Sequence, residues 1–151
     1  MTNFKYIYFL IFIFLFTIAK ADNRNLVFHG AYTFETFSGQ KSCAVYVSIF
    51  NNTEKIFTIN SLESEVAGRA EIHKVSLKDD IVSMKKIKNF NVPPKEQIFF
   101  QPGGNHIMLM DLKKELTDGS YFFINFKINN KKESKVKVMV LNKKLRENFI
   151  E

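Results

Sequence analysis

The chain has 151 residues, of which 46% are apolar, and its 22 lysine and arginine residues against 15 aspartate and glutamate residues give a net charge of +7 at pH 7. This length suits one domain with one hydrophobic core. The basic residues occur in scattered pairs such as Lys85-Lys86 and Lys131-Lys132 and form no basic motif interleaved with aromatic residues, so we do not expect nucleic acid as a partner.

Residues 1–21, MTNFKYIYFLIFIFLFTIAKA, have the pattern of a secretory signal peptide. Lys5 is a short basic region, residues 6–19 are almost wholly apolar, and Ala19-Lys20-Ala21 is a small-x-small cleavage site. A retained membrane anchor is the alternative, but spanning a bilayer takes about 20 apolar residues and this run is shorter. We therefore expect cleavage, a periplasmic location with no stable membrane span in the mature protein, and a single domain formed by residues 22–151.

The rest of the chain has the pattern of short β-strands separated by turns containing Gly, Pro, Asn and Asp. In the segment YFFINFKI, Phe122, Ile124, Phe126 and Ile128 alternate with more polar neighbours. The predicted strands are 43–50, 55–60, 69–77, 96–101, 106–112, 121–128 and 135–141. Such a succession predicts an all-β fold, an antiparallel sandwich or barrel. The last ten residues, 142–151, are predicted to be a short helix or a frayed tail.

Cys43 is the single cysteine, which excludes an intramolecular disulfide and a C-x-x-C redox pair. In the predicted strand 43–50 it lies on the same face as Val45, Val47 and Ile49. We therefore expect a small buried side chain and not a catalytic thiol.

Motifs that would indicate an enzyme are missing from the sequence. There is no G-x-S-x-G nucleophile elbow, and Gly103-Gly104 is not followed by the G-K-[ST] of a phosphate-binding loop. The histidines number three: His29, His73 and His106. We therefore expect a protein that is not an enzyme.

The segment QPGGNHIMLMDL, residues 101–112, carries the clearest chemical signal. In a strand, His106 and Met108 project from one face, about 6–7 Å apart, while Ile107 and Leu109 project from the other. An imidazole beside a thioether favours copper, and Cu(I) in particular, over zinc or harder ions. The alternative is that Met108 and Met110 only fill space in the core, since methionine commonly does so.

A second His and Met lie upstream of this pair. His73 and Met84 are separated by ten residues, Met84 and His106 by twenty-one, and His106 and Met108 by one. This H-x10-M-x21-H-x-M spacing resembles the signature of the PCuAC family of periplasmic copper chaperones. The segments 44–51, 66–73 and 84–128 also resemble the family's first core strand, its approach to the first histidine, and its Pro-Gly-Gly turn with the strand that follows. The resemblance covers residues 40–140.

The resemblance implies a cupredoxin-like, immunoglobulin-like antiparallel β-sandwich that binds copper near its surface, mainly as Cu(I), with Cu(II) as the alternative. Carried over position by position, the implied ligands are His73, Met84, His106 and Met108. The implied role is delivery of copper to a recipient such as the CuA centre of cytochrome c oxidase subunit II, by a monomeric chaperone.

One position departs from the family pattern, because many members have Met directly after the first histidine and this chain has Lys74. Neighbouring residues of a strand point apart, so Lys74 need not displace a ligand, although it removes a spare thioether and adds a charge. Met84 is expected on or beside the turn 77–86, on a mobile arm. His29 is expected to have a surface role, and Met110 to pack at the edge of the site.

Two other functions compete with the chaperone. One is a non-catalytic sandwich module for interaction or adhesion, in which the ligand spacing is coincidental. The other is a copper electron carrier, but a blue-copper site needs a Cys thiolate with two His, and Cys43 lies thirty residues before His73 in a core-like strand.

Overall fold

The computed structural model describes residues 25–78 and 81–145. The predicted signal peptide, residues 1–21, lies outside the described residues, as do residues 146–151 of the predicted C-terminal helix or tail. Residues 143–145 form a single 3₁₀ turn. In the described part of the chain, no helix has the length and apolar character needed to cross a membrane.

Ten strands account for most of the described residues. They are β1 (Leu26–Phe34), β2 (Ser42–Asn51), β3 (Phe57–Ser64), β4 (Ala67–Lys78), β5 (Ile81–Ile87), β6 (Phe90–Val92), β7 (Gln97–Phe100), β8 (His106–Leu112), β9 (Tyr121–Ile128) and β10 (Lys132–Leu141). All seven predicted strands are present, with ends shifted by a few residues. The prediction of an all-β sandwich is confirmed.

Three strands, β1, β5 and β6, were not predicted. In β1 the alternation is broken, because Gly30 has a φ of +58° and the register with β2 shifts between His29 and Tyr32. β5 has no buried face at all, and β6 has only three residues. Each strand thus lacks the period-two pattern from which strands are predicted.

The strands pair in the order β5-β4-β8-β2-β1-β10-β9-β3-β6, and β7 pairs with β2 beyond the end of β8. A further pairing, Leu62 with Ala70, joins β3 to β4, so that the sheet closes around one core. The strand pairs of the described residues are antiparallel except β1 with β10, where Tyr32, Thr33 and Phe34 pair in parallel with Met139, Val140 and Leu141. The predicted antiparallel arrangement therefore has one parallel pair within it, which was not predicted from the sequence.

The core is built from the alternating faces of the strands. On β9, Phe122, Ile124, Phe126 and Ile128 are at most 1% exposed. Ile107 and Leu109 of β8 are fully buried with them. Met108 and Met110 therefore lie on the opposite face of β8, where they are half-buried.

Cys43 belongs to this core, as predicted. It pairs with Leu109, and burial raises the pKa of its thiol while a hydrogen bond with Thr33 acts in the opposite direction. A raised pKa keeps the thiol protonated at neutral pH, as expected for a small buried side chain and not for a catalytic thiolate.

Candidate metal centre

Two adjacent strands, β4 and β8, bring the two predicted histidine ligands together. His73 lies directly opposite His106 in the antiparallel register. Their ring centroids are 5.8 Å apart, and the rings are inclined by 62°. Directly opposed residues of an antiparallel pair share a face of the sheet, so both imidazoles lie on the side away from Ile107 and Leu109.

Met108 lies on the same face as His106, two residues further along β8. It is half-buried, and it lies opposite Glu71 of β4 and opposite Ala44 of β2. The small Ala44 side chain leaves room beside the thioether on the β2 side. The predicted alternation along β8 is therefore confirmed.

Met84 comes from β5, the edge strand beside β4. It lies opposite Val75, which is two residues from His73 on the same face. The expectation that Met84 sits on or beside a turn is wrong, because its backbone is paired within a strand. Its side chain is nonetheless 60% exposed, since no further strand pairs with β5 among the described residues.

A groove of about 490 Å³ runs along this face and is lined by Met84, His106 and Met108. Its far wall comes from the end of β1, the loop after it and β2, and includes Phe34, Phe37, Gln40 and Tyr46. His106 itself is only 6% exposed. The sequence predicted the face on which His106 lies but not its burial, because periodicity within one segment does not show which other segments lie beside it.

The ring of His106 is held by the turn that precedes it. Its Nδ1 lies 3.1 Å from the carbonyl oxygen of Gly104. The turn itself depends on Gly103, whose φ of +76° is a conformation that residues with a Cβ rarely adopt. The Pro-Gly-Gly segment thus places and orients His106 at the start of β8.

The ring of His73 is held by side chains. Its Nε2 lies 3.1 Å from Oε2 of Glu71, and Nζ of Lys86 donates to Oε1 of the same carboxylate at 2.6 Å. The hydrogen bond from Lys86, and after it the one from His73, lower the pKa of Glu71. Sequence reasoning missed Glu71 and Lys86. Glu71 could have been found from the sequence, because it lies two residues before His73 and so on the same face of a strand. Lys86 could be found only from the register between β4 and β5.

The other residues named from the sequence lie around this centre or away from it. Lys74 lies opposite Lys85, on the other face of the sheet from His73. His29 is exposed on β1, opposite Ser48. Met110 is half-buried and lies two residues after Met108 on the same face of β8, opposite Ser42 and Arg69.

The donor set of this face is soft. Within residues 25–78 and 81–145, no group of three or more His, Cys, Asp and Glu side chains is placed to hold a metal ion. A metal bound here would therefore draw on methionine sulfur as well as imidazole nitrogen. Thioether and imidazole donors suit copper better than zinc or the harder ions.

The fold and this His-Met face define a PCuAC-type domain. Residues 26–140 match a family model whose description is "LpqE-like: Putative lipoprotein LpqE-like". The chain belongs to the LpqE-like family, and the family resemblance seen in the sequence is confirmed.

Curated relatives support this membership. The chain is 30% identical over 100 residues to "Uncharacterized protein RP573" of Rickettsia prowazekii (strain Madrid E), a match that covers 66% of this chain and 55% of the relative. It is 26% identical over 104 residues to a lipoprotein-named relative, Lxx21020, of Leifsonia xyli subsp. xyli (strain CTCB07), covering 68% of this chain and 63% of the relative. The match thus spans less than two thirds of the length of either relative.

Solved structures share the fold. The copper-bound PCuAC domain from PmoF2 superposes with a TM-score of 0.66 at 14% identity, over 78% of this chain and 93% of that domain. The solution structure of CuI-DR1885 from Deinococcus radiodurans superposes with a TM-score of 0.63 at 21% identity, over 77% of each chain. At these identities the likeness establishes a common cupredoxin-like architecture.

Proposed function

We propose that this protein is a copper chaperone that binds one Cu(I) ion through His73, Met84, His106 and Met108. The observation that carries the proposal is the direct opposition of His73 and His106, with ring centroids 5.8 Å apart, on a face that also bears both methionines. The similar PmoF2 domain is copper-bound and the similar DR1885 structure is that of CuI-DR1885, which supports the same cargo.

The four donors differ in how far they are covered, which suits a protein that must release its cargo. His106 is buried, His73 and Met108 are half-buried, and Met84 is 60% exposed. A ligand on a recipient protein could replace the exposed thioether first while the imidazoles still hold the ion. The role requires binding and exchange but no catalysed reaction.

The proposed place of action is outside the cytoplasm, in the periplasm. The signal-peptide pattern of residues 1–21 supports export, and the family description as a lipoprotein agrees with it. The proposed recipient is a copper protein such as cytochrome c oxidase subunit II, whose CuA centre also lies outside the cytoplasm. We propose a monomer as the delivering species.

The first test is a titration of the purified protein with Cu(I) in competition with a Cu(I) chelator, alongside a titration with Zn(II). We expect one tight Cu(I) equivalent per chain and weaker zinc binding, because two of the four donors are thioethers. Zinc binding of equal or greater strength would contradict the assignment. Transfer from the loaded protein to the apo CuA domain of subunit II would then test delivery.

A further inference from the structure

The two histidines of the site are held through different ring nitrogens. The Gly104 carbonyl oxygen can only accept a hydrogen bond, so Nδ1 of His106 must carry the proton at their 3.1 Å contact. The Glu71 carboxylate, whose other oxygen accepts from Nζ of Lys86 at 2.6 Å, likewise accepts from Nε2 of His73 at 3.1 Å. A neutral imidazole has one N–H, so the lone pairs are left on different atoms.

From this geometry we infer that Glu71, fixed by Lys86, is a positioning residue that makes His73 bind copper through Nδ1, while the Gly104 carbonyl makes His106 bind through Nε2. This inference rests on the proposed function, because it concerns the same site. It adds two residues, Glu71 and Lys86, that contact a ligand and not the ion.

The arrangement around His73 explains why a positioning group is needed. The His73 side chain is 18% exposed, and it lies near the edge of the sheet, where packing restrains a ring less than in the core. Glu71 is two residues away on the same face of β4, and Lys86 lies directly opposite His73 on β5. The carboxylate therefore bridges two strands, with Oε1 held by Lys86 and Oε2 holding His73.

The charge of Glu71 has a second effect on the same ligand. A carboxylate that accepts the N–H of a metal-bound imidazole fixes its tautomer and raises its basicity, and loss of such a partner commonly lowers metal affinity about 10–100-fold. Lys86 supports this effect, because its ammonium group contacts the other carboxylate oxygen at 2.6 Å and holds the carboxylate where it reaches His73. The Glu71–Lys86 pair therefore sets both the direction of the His73 ring and its strength as a donor.

The test compares Glu71→Ala, Glu71→Gln and Lys86→Met with the parent protein. Cu(I) affinity should fall about 10–100-fold in Glu71→Ala. It should fall less in Glu71→Gln, whose amide oxygen can still accept from Nε2, and less again in Lys86→Met. A matched control is Lys85→Met, the same substitution at the neighbouring position of β5, where the side chain lies opposite Lys74 on the other face of the sheet; it should leave the affinity unchanged.

A second readout is ¹⁵N NMR of the imidazoles, without metal and with Cu(I). In the metal-free parent, His73 should be the Nε2–H tautomer and His106 the Nδ1–H tautomer, and Cu(I) should shift Nδ1 of His73 and Nε2 of His106. In Glu71→Ala the His73 preference should be lost while His106 is unchanged. A structural role alone would not move the tautomer of one histidine.

Different failures have different meanings. If the parent binds Cu(I) but His73 uses Nε2, or if Glu71→Ala keeps the parent affinity, the inference is wrong and the chaperone proposal survives. If Glu71→Gln loses as much affinity as His73→Ala, Glu71 is itself a ligand and the inference is again wrong. If the parent binds no Cu(I) while the metal-free spectra show the expected tautomers, the proposed function fails and the assigned hydrogen bonds stand.

Discussion

At the scale of single residues, the alternation along β8 separates stability from metal binding. Leu109 is fully buried in the core, whereas Met108, its neighbour, lies half-buried in the groove with His106. The two side chains have similar volumes but point to opposite faces of one strand, so substitutions at the two positions should have opposite consequences.

We predict that Met108→Ala lowers Cu(I) affinity at least about tenfold, or about 1.4 kcal/mol, with a small loss of stability. Leu109→Ala should cost about 2–5 kcal/mol of unfolding free energy, as truncations of buried aliphatic residues do, and leave the affinity of the folded fraction nearly unchanged. Denaturant unfolding and Cu(I) competition measure the two quantities. If Met108→Ala unfolded the protein while the folded remainder kept its copper affinity, Met108 would be a core residue and not a ligand.

The four proposed ligand positions could be named from the sequence because their spacing is a one-dimensional pattern. The burial of His106 and the Glu71–Lys86 pair could not. They depend on which strands lie side by side. Periodicity within one segment carries no information about the register between two segments.

At the scale of elements, β5 is the part of the structure that the sequence concealed. Its residues are exposed on both faces or nearly so, which removes the alternation that identifies a strand, and the segment 77–86 was therefore interpreted as a turn. Pairing with β4 from Ile72 to Lys78 nevertheless fixes its register. That register, and not a flexible turn, places Met84 on the same face as His73.

We predict that Met84→Leu lowers Cu(I) affinity about tenfold or more while the unfolding free energy changes by less than about 0.5 kcal/mol, as exposed substitutions usually do. Leucine keeps the apolar volume and removes only the sulfur atom. Val82→Ala, at a 65% exposed position of the same strand, is the control and should change neither quantity. Unaltered copper affinity in Met84→Leu would remove this residue from the ligand set.

At the scale of the whole molecule, the sandwich and its core followed from the sequence, while its closure did not. Strands β2, β8, β9 and β10 have regular alternation and large buried aliphatic and aromatic side chains, so the fold class is encoded locally. The pairing of β1 with β10 and the bridge between Leu62 and Ala70 are contacts between distant segments. Their direction and register are properties of the assembled sheet.

Among the four proposed ligands, the two histidines should be the ones that make Cu(I) affinity depend on pH. Imidazole must be deprotonated to bind a metal ion, whereas a thioether has no proton to lose, so Cu(I) affinity should fall as the pH drops below neutrality. A variant lacking both His73 and His106 should bind Cu(I) weakly and with almost no pH dependence. A variant with leucine at both Met84 and Met108 should keep the pH dependence and lose much of its preference for Cu(I).

The measurement is Cu(I) affinity at several pH values for the parent and the two double variants, with circular dichroism as the control for folding. If the double-histidine variant kept the slope of the parent, the histidines would not be ligands.

The parallel pairing of β1 with β10 also has a consequence for how the protein folds. Tyr32 pairs with Met139, so nearly the whole described chain must be present before the first strand finds its last partner. Contacts between residues so far apart in sequence slow folding, because the intervening chain must be ordered first. Until β10 arrives, one edge of β1 and one of β9 present unpaired backbone groups that can pair with other chains. A newly made copy is therefore most prone to aggregation in the interval before its final strand docks.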